Sequence, residues 1–171
     1  MALPSLGPAG RAVAIGLAVA VPASALLAAC GGPSEQERYG ERFTDVAEPL
    51  TTELIDLGNA VGVATSRRQI SAALGRADAA LGTAHDGFAA LDPPEAAAGV
   101  QADLLAAIKR FEREVDATRV ALREGGDRAA GRALEDFNAK SRSFAAQLGE
   151  IGQRLEDADI PLGAAPTGGS P

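Results

Sequence analysis

Between positions 34 and 160 the apolar residues of this chain recur at spacings of three and four, in four separate runs. The first holds Tyr39, Phe43, Val46, Leu50, Leu54, Leu57 and Val61; the second Ile70, Leu74, Ala77, Leu81, Ala84, Phe88 and Leu91. The third holds Val100, Leu104, Ile108, Phe111, Val115, Thr118 and Leu122, and the fourth Ala130, Leu134, Phe137, Ser141, Phe144, Leu148, Ile151 and Leu155. That period gathers apolar side chains on one face of a helix, and no period-two alternation competes with it. Helices so striped leave water by packing their stripes together, which predicts an all-α fold.

The punctuation between the runs agrees. Ser34-x-x-Glu37 and Ser66-x-x-Gln69 are capping boxes, in which a hydroxyl and a reaching side chain satisfy unpaired backbone donors. In Asp92-Pro93-Pro94-Glu95, Asp92 reads as a cap before a proline suited to the first helical position. Glu124-Gly125-Gly126-Asp127 offers a glycine for a left-handed stop and Asp127 as the next cap, and Ile160-Pro161 closes the last run. The helices are expected near 35–62, 66–91, 93–124 and 127–158. Connections this short force antiparallel neighbours, hence an up-down-up-down antiparallel four-helix bundle over 35–160. Pro49 lies inside the first helix and is expected to kink it. Glycines 40, 58, 75, 82, 87, 99, 131, 149 and 152 fall at helical positions, each costing up to about 1 kcal/mol against alanine. With 38 alanines in the chain they read as close packing through small residues; the alternative is an incompletely filled interior that admits a ligand.

Ahead of the bundle, Arg11 is the only charged side chain before position 35, and Ala12 to Cys30 is uncharged. A basic start, an apolar run and small residues at its end are the layout of a secretory signal. The run ends Leu27-Ala28-Ala29-Cys30-Gly31, which resembles the lipobox of bacterial lipoproteins. The resemblance implies cleavage between Ala29 and Cys30, a diacylglyceryl group on the Cys30 thiol, and Cys30 as the mature first residue. Residues 1–29 are then the lipoprotein signal peptide and 30–34 the lipidated cysteine with a short tether. Two or more acyl chains give stable attachment, at about 0.8 kcal/mol per buried methylene. This places the protein on the extracytoplasmic face of the cell membrane, or on an outer membrane in a cell that has two. The Gly/Ala/Pro-rich residues 161–171 read as a disordered tail.

Composition narrows the function. One Cys and one His cannot form an internal disulfide or a Cys/His zinc site, and the single Met is the initiator. His85 has Gly82 rather than Glu three residues before it, so the Glu-x-x-His pairs of di-iron bundles are missing too. No nucleophile set or phosphate loop is present, so the expectation is a non-enzyme with no metal and no cofactor. A net charge of −7, with no aromatics beside the arginines, argues against nucleic acid.

Charge is nevertheless distributed along the predicted bundle. The half nearest the lipid holds 13 acids and 3 bases, a net of −10; the distal half holds 12 bases and 10 acids, a net of +2. Arg67, Arg68, Arg128 and Arg132 open helices, where cations are mildly unfavourable, and Arg119 and Arg123 lie near the end of the third helix. These six form a candidate distal binding patch for an anionic envelope polymer or an acidic protein. The expected role is a noncatalytic interaction or scaffold module of the cell envelope; the alternative is a ligand-binding or sensory bundle with an interior pocket.

Overall fold

The computed structural model describes residues 32–163, so the signal peptide, the Leu27 to Cys30 motif and residues 164–171 lie outside the described residues. Four helices follow one another: α1 (Glu35–Val63), α2 (Arg67–Ala89), α3 (Glu95–Glu124) and α4 (Asp127–Asp157). α1 continues through Pro49 as a single helix. Every residue of the four stripes is buried or half-buried. Among the described residues there is no strand, and no helix is long and apolar enough to cross a membrane.

Both capping boxes form. The Glu37 amide donates to Ser34 Oγ at 3.1 Å, and the Gln69 amide donates to Ser66 Oγ at 3.3 Å. The other two starts differ from the sequence expectation. α3 begins at Glu95 with Pro94 as its N-cap and no side-chain cap. Pro93 stands before another proline and is thereby kept out of the helical region, so the helix starts after Pro94 and Asp92 caps nothing. Gly125 is extended rather than left-handed, with φ −80° and ψ 149°. Its lack of a Cβ matters sterically instead, because a Cβ would collide with the Ala121 carbonyl that the Gly125 N–H bonds. Gly126 occupies the N-cap of α4, and Asp127 sits in the first turn without capping.

Packing is antiparallel and serial. Val46 lies over Gly87 and Glu53 meets Arg76 between α1 and α2; Asp78 meets Arg119 between α2 and α3; Glu114 meets Lys140 and Asp103 meets Arg154 between α3 and α4. α1 and α4 do not approach in the same way: no Cα of one lies within 8 Å of a Cα of the other. The bundle therefore has two inner and two edge helices. α2 and α3 bury seven and ten residues, whereas α1 and α4 bury five each, mostly seven positions apart. Phe43 packs on Phe88 at 4.7 Å between ring centres, and Phe111 stacks on Phe144 at 4.3 Å.

Two links cross the bundle at the end where α1 starts. The Tyr39 hydroxyl donates to Gln101 Oε1 at 2.9 Å, tying α1 to α3, and Gln101 Nε2 donates to the Leu91 carbonyl at 3.3 Å. Beyond α4 the chain turns back through Asp159, whose φ of 57° is the only positive value among non-glycine residues described. The Asp159 and Ile160 amides donate to the Glu156 and Leu155 carbonyls, a Schellman closure that seats Ile160 in the core beside Leu155. Residues 161–163, assigned by sequence to the tail, continue onto α1: the Gly163 amide donates to Thr44 Oγ1 at 3.1 Å.

The glycines mostly do not serve close helix packing. A Cβ at Gly58, Gly99, Gly131, Gly149 or Gly152 would meet nothing within 4 Å. Among the glycines within the helices, close approach is confined to Gly87, against Val46, and to Gly40, where a Cβ would collide with the Pro161 carbonyl. Buried alanines at 73, 77, 84, 97, 107 and 130 provide the small-residue packing instead. Gly131→Ala is accordingly expected to stabilise by about 0.5–1 kcal/mol through helix propensity, and Gly40→Ala to destabilise by about 1–3 kcal/mol through overpacking. Thermal unfolding followed by circular dichroism checks both.

Burial pushes the Tyr39 hydroxyl up from 10.0 to about 12. Below pH 10 its stabilising contribution is complete; as pH rises toward 12 the unfolded chain sheds this proton first, and the contribution is lost. With one Tyr and no Trp, absorbance near 295 nm reports this group alone. The expected result is a titration midpoint well above 10 that returns to about 10 in urea.

Candidate functional site at the distal end

The connections 64–66 and 125–126 bring the start of α2, the end of α3 and the start of α4 together, opposite the end where α1 begins. All six arginines expected to form a patch lie in this half, but the structure divides them by use. Arg67 spans two elements: Nη1 donates to the Gly125 carbonyl at 2.8 Å and Nη2 to Asp127 Oδ1 at 2.8 Å. It therefore has the local purpose that the sequence could not supply, namely clasping the α3–α4 connection to α2. Arg119 lies across Gly75 and donates to Asp78 Oδ2 at 2.8 Å, an ion pair within the α2–α3 seam. Arg68, Arg123, Arg128 and Arg132 have no carboxylate within 4.0 Å among the described residues.

Three of the six arginines share one depression. Arg67, Arg68, Ser71 and Ala72 of α2 and Leu122 and Arg123 of α3 line an open groove of about 480 Å³. No carboxylate lines it. Arg128 and Arg132 are exposed on α4 and do not contribute to its walls, so the expected patch is two separate features. A smaller depression of about 270 Å³ at the opposite end mixes Glu35 and Asp92 with Arg38 and Arg42. Neither depression is enclosed. The polar side chains in the core, Gln101 and Thr118, are occupied internally, Thr118 Oγ1 donating to the Glu114 carbonyl at 2.7 Å. His85 is half-buried, with Nδ1 3.2 Å from Oδ1 of the adjacent Asp86.

Ion pairing decides which distal arginines are engaged and leaves the axial charge difference as it was. The pairs Arg67–Asp127, Arg76–Glu53, Lys109–Glu112, Arg119–Asp78 and Lys140–Glu114 all lie in the distal half. Each pair removes one acid and one base, so the net charge of that half is unchanged, and Arg68, Arg123, Arg128 and Arg132 are the tip arginines without an ion-pair partner among the described residues. In the other half Arg154 pairs with Asp103, and most carboxylates stand without a basic partner.

Replacing Arg67 by Ala is expected to cost about 1 kcal/mol, the sum of a hydrogen bond to a carbonyl and a solvent-screened ion pair. Arg68→Ala is expected to change stability by less than about 0.5 kcal/mol. Urea unfolding midpoints measured side by side distinguish the clasping arginine from the free one. Compared with protein-family models, with curated proteins and with solved structures, the chain matches none of them.

Proposed function

We propose that the protein is a lipid-anchored, extracytoplasmic module of a bacterial cell envelope, whose bundle works without catalysis as a spacer and presents its distal end to a partner. The observation that carries this reading is the position of the lipobox-like Leu27-Ala28-Ala29-Cys30, which ends four residues before the Ser34 cap of α1. Acylation at Cys30 fixes the end bearing Ser34, the 90–94 connection and Ile160 toward the membrane. The tip of Arg68 and Arg123 then stands roughly 40 Å away, at about 1.5 Å of rise per residue.

The charge distribution supports the same orientation. A membrane-proximal half with a net of −10 is repelled by anionic headgroups, which favours an upright bundle on its tether. Gly31-Gly32-Pro33 has the short, glycine-rich composition that suits such a tether.

Labelling of growing cells with an alkynyl fatty acid tests the anchor. The wild-type chain is expected to take up label and sediment with membranes; Cys30→Ser is expected to lose the label and leave the membrane fraction. Equal labelling of the two chains would overturn the lipid assignment.

A further inference from the structure

The geometry points to the groove between the start of α2 and the end of α3 as a binding site for a flexible phosphodiester polymer. The inference rests on the proposed orientation, in which the distal end is the presenting face; binding in the groove does not itself require the lipid.

Three arginines from two helices line one open volume of about 480 Å³, with no carboxylate among the described residues of its lining. Their states differ in a way that suits a site. Arg67 is held in place by Gly125 and Asp127, so that wall of the groove is set before any ligand arrives. Arg68 and Arg123 keep their donors unspent by any carboxylate of the described chain, and a guanidinium fork matches two oxygens of one phosphate. Between the charges, Ala72 and Leu122 give an apolar surface for the carbon backbone of a repeat unit, and Ser71 adds a hydroxyl.

The volume exceeds what a single small anion fills, and the groove is open rather than enclosed, which favours a chain passing through over a captured monomer. The polar steering is one-sided as well: a polyanion is repelled by the −10 half and drawn to the tip. Headgroups of the anchoring membrane face the wrong end of the bundle to reach this groove.

The test uses the full chain purified in nonionic detergent, with binding of fluorescein-labelled poly(glycerol phosphate) followed by anisotropy across a salt series. Arg68→Ala with Arg123→Ala is expected to weaken binding at least tenfold and to flatten the salt dependence by roughly one unit of slope for each phosphate no longer neutralised. Arg110→Ala with Arg113→Ala removes the same charge elsewhere in the distal half and is expected to weaken binding less than threefold. Circular dichroism confirms that each variant is folded. Equal losses in the two double variants would reduce the effect to net charge and overturn the site. Stronger binding of poly-glutamate, or of phosphatidylglycerol vesicles, would overturn the assignment to a phosphodiester polymer in favour of an acidic protein or a membrane surface. The Cys30→Ser chain is expected to bind as wild type does, so failure here and failure of the anchor are separately visible.

Discussion

The structure depends on the burial of one apolar stripe per helix against a neighbour that can reach it. α2 and α3 do most of this, because each is packed on two sides and buries alanines along with its larger apolar residues. Leu74, Leu81, Phe88, Leu104, Ile108 and Val115 are essentially removed from water and form the spine to which the outer helices attach. Burying side chains of that size is worth about 1.5–3 kcal/mol each before the entropy of ordering them is subtracted, and no other interaction in the molecule is of that scale. α1 and α4 each bury fewer residues, because each has a single close helical neighbour.

That arrangement explains the role of the links at the two ends. With α1 and α4 apart, the end bearing the α1 N-terminus is closed by Tyr39 bonding Gln101 and by Ile160 and Gly163 reaching α1 from beyond α4. Gly40 is required there because the Pro161 backbone occupies the place of a side chain. At the distal end the corresponding closure is Arg67, which joins the α3–α4 connection to α2. The free arginines border a groove whose wall is fixed by an arginine that is already committed.

Much of the helical framework was legible in the sequence because it depends on local rules. The three-and-four spacing names the buried face, and Ser34-x-x-Glu37 and Ser66-x-x-Gln69 set two helix starts by bonds within four residues. Where local rules competed, the sequence pointed the wrong way. Asp92 before proline resembled a cap, yet the second proline excluded Pro93 from the helix. Asp159, with no glycine signal, takes the left-handed position, because placing Ile160 in the core outweighs the cost of the backbone conformation. The distal patch was legible as a set of residues and not as a site: sequence counts charges, whereas the distances to Gly125, Asp127 and Asp78 decide which of them are free.

Four helices, their order, their buried faces and the acidic-to-basic gradient along them are written in the chain itself, since periodicity and charge are properties of a few residues at a time. Three-dimensional packing settled the rest: α1 and α4 stay apart, the chain after α4 straps back onto α1, and Arg67 clasps while Arg68 and Arg123 have no ion-pair partner among the described residues. These outcomes depend on how the inner helices set the position of elements far apart in the chain, and no local pattern encodes a distance of 60 residues closed to 2.8 Å.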